Sequence, residues 1–258
     1  MSKLDDEMFI AGIHKRTDLS EHLRVLFGGR QIGPLDFERL VGQCLTATRT
    51  PVIPSKQFRR FERLWALLRF QLHALEKCRG PLAECGVFRG FSALAMARLM
   101  KAAADGGGPA CRDLWLIDSY SGLSDPVEQD WTTQIVSGKT VTGPAAQKGH
   151  FATSLEEVAK HFDEITNAKF AKGWVPDVFK SLPACEWSFV HVDVDLYEPV
   201  RDCLNYFYPK LEKGAVMIND DFLSPTFPGA GKAWREFFAS KNKGYAILDT
   251  GQAIFINN

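Results

Sequence analysis

Apolar residues along the middle of the chain recur in two rhythms. Phe58, Phe61, Trp65, Leu68, Leu72 and Leu75 step by three and four, which puts them on one face of a helix about five turns long, with Arg59, Arg60, Glu62 and Arg63 on its wet side. Leu82 to Cys85 reads as a buried strand, Ala93, Ala97, Met100 and Ala104 as a helix face, and Leu114 to Ile117 as a second strand. The alternation resumes near residue 150. Ser154 and Glu157 spell a capping box ahead of the stripe Leu155, Val158, Phe162 and Ile165. A short strand near Lys169 to Lys172 precedes Trp187 to Val192, whose near-continuous apolar character fits a central strand covered on both faces. Tyr197, Val200, Leu204, Phe207 and Leu211 mark a helix that tolerates Pro199 in its first turn. Ala215 to Ile218 is another strand, Lys232 to Ser240 a helix, and Tyr245 to Leu248 with Ala253 to Ile256 a closing hairpin. This order predicts an α/β fold: an open, doubly wound, mostly parallel sheet with helices on both faces and an antiparallel C-terminal hairpin.

Two stretches depart from the pattern. The first 55 or so residues show no sustained period, and Pro51 and Pro54 interrupt what precedes them. Residues 1–57 are therefore read as an N-terminal helical lid or extension, ahead of one domain over residues 58–258. The stretch from Tyr120 to His150 reads as irregular and is longer than ordinary connections. It is expected to shape a ligand pocket together with the N-terminal segment, with Trp131 as a stacking surface.

Composition narrows the function. Lys and Arg number 31 and Asp and Glu 31, so the chain lacks the cationic excess for binding nucleic acid or an acidic membrane. At 45% hydrophobic and 24% charged it is an ordinary globular composition. Apolar runs such as Phe189 to Val192 and Ala215 to Ile218 fall far short of the roughly 20 residues that span a bilayer. The acidic start MSKLDDEMFIAG does not resemble an export signal, so a cytoplasmic protein with a small-molecule partner is expected. A homo-oligomer is compatible with the sequence. The six cysteines form no C-x-x-C pair and read as buried reduced thiols.

In open α/β sheets ligands bind beyond the carboxyl ends of the strands. After the first strand comes AECGVFRGFS, where Gly86 and Gly90 permit a tight turn and Glu84 can accept hydrogen bonds from an ammonium group but would oppose a pyrophosphate. The second strand ends in Asp118, which suits either the 2′ and 3′ hydroxyls of a ribose or the capping of a turn with Ser119. Together these features favour an adenosine-containing ligand without a diphosphate, a description that S-adenosylmethionine meets. HVDVDLYEP and INDDF place Asp193, Asp220 and Asp221 at the ends of two further strands. Converging carboxylates repel one another unless protonated or bridged by a cation, and Mg²⁺ is the economical bridge. Asp195 reads instead as the N-cap of the next helix, and His191, on the same side as Asp193, as a satisfied core histidine ahead of a supporting partner of the site carboxylates. A phosphatase-type DxD should follow the first strand, and no nucleophile elbow accompanies the histidines, so a hydrolase has little support.

FERLWALLRF, AECGVFRGFSA, LIDSYSGLSDP, SLEEV, AKGWVPDVFKSLP, HVDVDLYEPVRDCLNYFYPKLEKGAVMINDDF and PGAGKAWREFF, in that order, resemble the macrocin O-methyltransferase (TylF/MycF-like) family over Phe58 to Phe238. The resemblance implies a class I S-adenosylmethionine-dependent, Mg²⁺-using enzyme that methylates sugar hydroxyls of glycosylated natural products. It implies that Glu84, Gly86, Val87, Phe88 and Ser92 line the methionine end of the cofactor. Asp118 and Ser119 would then meet the ribose, and Gly173 and Trp174 the adenine, with Asp193, Asp220 and Asp221 on the metal. Where the family has LDGD, Val194 replaces the glycine. An acceptor hydroxyl must lose a proton, and Asp193 is the first candidate base, with His150 second. A catechol-type O-methyltransferase and a non-catalytic S-adenosylmethionine-binding protein are the alternatives.

Overall fold

A computed structural model describes residues 30–33, 35–51, 54–136 and 139–258. Two short strands, β1 (Gln31–Ile32) and β2 (Leu35–Asp36), lead into helix α1 (Phe37–Thr48), and α2 covers Pro54–Lys77. Then follow β3 (Leu82–Cys85), α3 (Phe91–Asp105), β4 (Leu114–Asp118), the hairpin β5 (Trp131–Val136) and β6 (Lys139–Pro144), α4 (Leu155–Ala159) and β7 (Ala168–Lys172). The chain closes with β8 (Trp187–Val192), α5 (Tyr197–Phe207), β9 (Leu211–Asn219), α6 (Pro228–Lys241), β10 (Ala246–Ile247) and β11 (Ala253–Ile256).

The main sheet runs β10-β11-β9-β8-β3-β4-β7, parallel from β9 to β7 and antiparallel at β11 and β10. The doubly wound α/β fold expected from the alternation is therefore what the chain adopts. Alternate residues of each strand feed two cores. Leu82, Leu116, Phe189 and Ile218 pack with α1, α2 and α3 on one face. Ala83, Ile117, Val190 and Met217 pack with α5 and α6 on the other. The chain builds β3, β4 and β7 outward and then returns to lay β8 against the free side of β3, so the strand order reverses between β3 and β8. Crevices at such reversals are where ligands enter open sheets.

Several elements differ from the pattern-based reading. The Asp36 side chain accepts the Arg39 N–H and caps α1, whose Phe37, Leu40, Val41, Cys44 and Leu45 are buried in the core with α2 and α3. The expected lid over residues 1–57 thus has a described part, from residue 30, that is built into the core; residues 1–29 lie outside the described residues. The 120–150 stretch is not wholly irregular, because β5 and β6 pair antiparallel from Trp131↔Pro144 to Val136↔Lys139. The helix begun at Ser154 ends after Ala159 in a single 3₁₀ turn, so Ile165 is not helical. Ser154 Oγ accepts the Glu157 N–H as a cap should, but it also donates to Glu156 Oε2. Leu211 opens β9 rather than closing the preceding helix. Cys44, Cys78, Cys85 and Cys203 are buried thiols, as expected, but Cys111 is exposed. No described helix is long and apolar enough to cross a membrane.

Candidate active site

At the carboxyl end of β3 the chain turns through Gly86 to Gly90 into α3. Gly86 has φ 87°, and a Cβ there would sit 1.9 Å from the Asp193 carbonyl oxygen, so only glycine lets β3 and the Asp193 backbone approach this closely. The Asp193 N–H donates to the Cys85 carbonyl at 2.8 Å. Asp118, ending β4, binds the same turn: Oδ2 accepts the N–H groups of Val87 (2.7 Å) and Phe88 (3.0 Å), and Oδ1 accepts that of Tyr120 (2.7 Å). Of the two readings open for Asp118, turn capping is therefore present in the hydrogen bonds. Ser119 Oγ serves its own turn, donating to the Gly122 carbonyl and accepting the Ser121 N–H. Gly173, after β7, donates its N–H to the Asp118 carbonyl at 2.9 Å, with the exposed Trp174 beside it. Glu84, Gly86, Val87, Phe88, Asp118 and Gly173 thus gather at one edge of the sheet, and Ser92 lies in the first turn of α3.

Glu84 and His191 are register partners across the β3–β8 boundary. Both are buried, and Glu84 Oε1 lies 2.9 Å from His191 Nδ1. Burial alone would lower the imidazole's affinity for a proton, but the Asp220 and Glu84 carboxylates outweigh it and hold His191 up at about 10. His191 is thus only half the satisfied core histidine that its position suggested: Nδ1 is paired with Glu84, while Nε2 has no hydrogen-bond partner among the described residues and lies 3.4 Å from Asp220 Oδ1, beside the carboxylates. Glu84 Oε2 is buried without a partner among the described residues, as is the Tyr120 hydroxyl. An orphaned buried carboxylate oxygen beside the strand reversal suits the ammonium group of an amino-acid ligand.

Beyond β8 and β9 four carboxylates converge. Oxygens of Asp193, Asp195 and Asp221 lie within 4.8 Å of one another, and Asp193 and Asp220 form a second such group with His191. Burial, then the charges of Asp220 and Asp221, pushes Asp193 well above the usual carboxylate range; burial, then Asp221 and Asp193, does the same to Asp195. Asp220 goes the other way. Burial would raise it, yet Arg63, His191 and Gln252 hold it down at about 2. Gln252 Nε2 donates to Asp220 Oδ1 at 2.7 Å, and Arg63 Nη2 forms an ion pair with Asp220 Oδ2 and reaches Asp221 Oδ1 at 3.2 Å. A set of crowded carboxylate oxygens is the donor chemistry that a hard dication prefers, so the residues fit Mg²⁺.

Two expectations are corrected here. Asp195 is not a helix N-cap: Leu196 precedes the first turn of α5, while Asp195 has φ 61° and its carboxylate clusters with those of Asp193 and Asp221. Arg63 is not on the wet face of its helix but stands among the carboxylates. Neither could be read from local pattern, because both depend on contacts between segments far apart in the chain.

The 120–150 insert reaches the crevice through residues that its irregular pattern concealed. Asp130, 2% exposed, accepts the Tyr197 N–H at 2.8 Å through Oδ1 and the Val127 N–H at 3.0 Å through Oδ2, pinning the insert to the start of α5. Phe151 (φ 64°) sits edge-on to Phe88 at 5.5 Å and to Phe227 at 6.3 Å, so an aromatic row links the turn after β3 to the start of α6. His150 is exposed with its ring 5.7 Å from that of Phe151, and no described contact joins it to the carboxylates. Trp131 is exposed at the base of the hairpin.

A family model described as macrocin-O-methyltransferase (TylF) matches residues 58–249. The demethyldecarbamoylnovobiocin O-methyltransferase of Streptomyces niveus is 29% identical over 150 residues, 56% of this chain and 53% of that one. The 8-demethyl-8-(2,3-dimethoxy-alpha-L-rhamnosyl)-tetracenomycin-C 4'-O-methyltransferase of Streptomyces olivaceus is 28% identical over 153 residues, 55% and 53% of the two chains. The chain spans about half the length of these curated relatives. Among solved structures, the O-methyltransferase NovP superposes with a TM-score of 0.60 at 22% identity, covering 77% of this chain and 80% of that one, a likeness of fold.

Proposed function

The chain belongs to the macrocin O-methyltransferase family, and from that premise we propose that it transfers a methyl group from S-adenosylmethionine to a hydroxyl of a sugar or glycosylated small molecule, using Mg²⁺. The observation that carries this reading is the meeting, at the β3–β8 reversal, of a glycine turn tied to Asp118, a half-satisfied Glu84 and four carboxylates. The relatives' substrates, demethyldecarbamoylnovobiocin and a rhamnosyl tetracenomycin, suggest the acceptor class.

S-adenosylmethionine supplies an already electrophilic methyl group, so the protein's task is to place an acceptor oxygen in line and ease loss of its proton. Glu84 Oε2 is free to take the ammonium group, and the Asp118 edge and Gly173 with Trp174 take the ribose and adenine ends. Phe88 and Ser92 complete the methionine side. Asp193, Asp220 and Asp221 would hold the cation, whose charge favours an ionised hydroxyl.

The geometry refines the choice of base. Asp220 is held low by three donors, and Asp193 belongs to both carboxylate groups and so is committed to the cation. His150 has no described contact with the carboxylates. Asp195 remains: its carboxylate lies in one oxygen cluster with Asp193 and Asp221 but is not among the three residues assigned to the cation, and on that placement we assign it the proton.

The test is transfer of labelled methyl from S-adenosylmethionine to a panel of deoxysugar glycosides and catechols, first in EDTA and then with Mg²⁺. Glycoside methylation that depends on Mg²⁺ and falls steeply in Asp193→Asn and Asp195→Asn is expected. Full turnover in EDTA would remove the metal from the reading, and turnover confined to catechols would move the acceptor class to phenolic diols.

A further inference from the structure

Arg63 enters the carboxylate cluster from α2, 157 residues away in sequence from Asp220. The backbone that carries it is fixed. Phe61 and Leu64 on either side are buried in the core, and Gln252 Nε2 donates to the Arg63 carbonyl.

Its hydrogen bonding is lopsided. One nitrogen, Nη2, serves the Asp220 carbonyl, Asp220 Oδ2 and Asp221 Oδ1, while Nε is buried without a partner among the described residues. A guanidinium placed for geometric recognition presents two parallel N–H groups to one carboxylate. Here the fork is unmatched, and what the arrangement supplies is positive charge among Asp193, Asp220 and Asp221. A dication held by those carboxylates would face that same charge at close range, and like charges so near repel strongly.

We propose that Arg63 is a resident counter-cation that competes with the divalent ion for Asp221: it keeps the carboxylates together until the ion arrives, and ion binding drives its guanidinium off Asp221. This rests on the metal reading under Proposed function. Such competition weakens ion affinity relative to what the carboxylates alone would give and makes uptake reversible. Arg63 acts on the reaction as a positioning residue, through the carboxylates.

The experiment is Mn²⁺ binding, followed by the paramagnetic resonance signal of the free ion, to the full chain and to Arg63→Met. The variant is expected to bind Mn²⁺ on the order of tenfold more tightly or better. It should also melt below the native chain without the ion and gain more from its addition. Equal or weaker binding by the variant overturns the competition and leaves the metal reading intact. Binding by neither protein overturns both. Should Arg63→Met not fold, the native chain decides: the Nε–H resonance of Arg63, identified by its absence in Arg63→Lys, is expected to shift on saturation with Mg²⁺. An unchanged resonance overturns the proposal.

Discussion

Asp118 Oδ2 accepts the backbone N–H of Val87 at 2.7 Å, which ties the end of β4 to the turn after β3. The same oxygen takes the Phe88 N–H, so one side chain orders the turn to which the cofactor is assigned. Asp118→Ala should weaken S-adenosylhomocysteine binding by at least about 1.5 kcal/mol, the lower end for a hydrogen bond to a charged group. Asp118→Asn keeps an acceptor and should lose less. Calorimetry on both variants checks the order.

Gly86→Ala should destabilise the fold by about 2 kcal/mol or more, since the added methyl meets the Asp193 carbonyl and φ 87° is strained for alanine. Gly143→Ala, where a Cβ meets nothing within 4 Å, should stay within about 0.5 kcal/mol. Urea unfolding of the pair separates a packing requirement from a general loss of glycine.

Asp130→Ala removes a buried acceptor from two backbone N–H groups, those of Val127 and Tyr197. Destabilisation of roughly 2 kcal/mol or more is expected. Hydrogen exchange should quicken together in the β5–β6 hairpin and at the start of α5. Exchange that quickens in the hairpin alone would show that Asp130 does not clamp the insert to α5.

Legibility in the sequence followed the locality of the forces. Trp187 to Val192 and Leu82 to Cys85 read as strands because burial on both faces leaves a mark in consecutive residues. Helix α1 was legible in principle, since Asp36 stands as an N-cap before Phe37, Leu40, Val41, Cys44 and Leu45 at helical spacing, but Pro51 and Pro54 nearby suggested a break. Hairpin β5–β6 left little trace because its large apolar residues Trp131, Ile135 and Val141 are exposed, so burial imposes no alternation on them. Arg63 and Asp195 were misplaced for a different reason. Periodicity identifies the apolar face of a helix, not which charged residue at its margin meets another segment. A carboxylate at a helix start looks like a cap whether or not it caps.

Glu84→Gln preserves shape while removing the charge that His191 and the assigned ammonium group both meet. S-adenosylhomocysteine affinity should fall by on the order of tenfold, about 1.4 kcal/mol. S-adenosyl derivatives that lack the amino group should bind the variant and the native chain alike. A loss that is equal for both ligands would place Glu84 in the scaffold rather than at the ligand.

The most direct test of the central claim is a crystal structure with S-adenosylhomocysteine and Mn²⁺, using the anomalous signal of the metal. The account predicts the nucleoside in the crevice between β3 and β8, its amino group at Glu84 Oε2 and its ribose at the Asp118 edge, with the Mn²⁺ peak on Asp193, Asp220 and Asp221. S-adenosylhomocysteine bound elsewhere, or a Mn²⁺ peak away from those carboxylates, would contradict it.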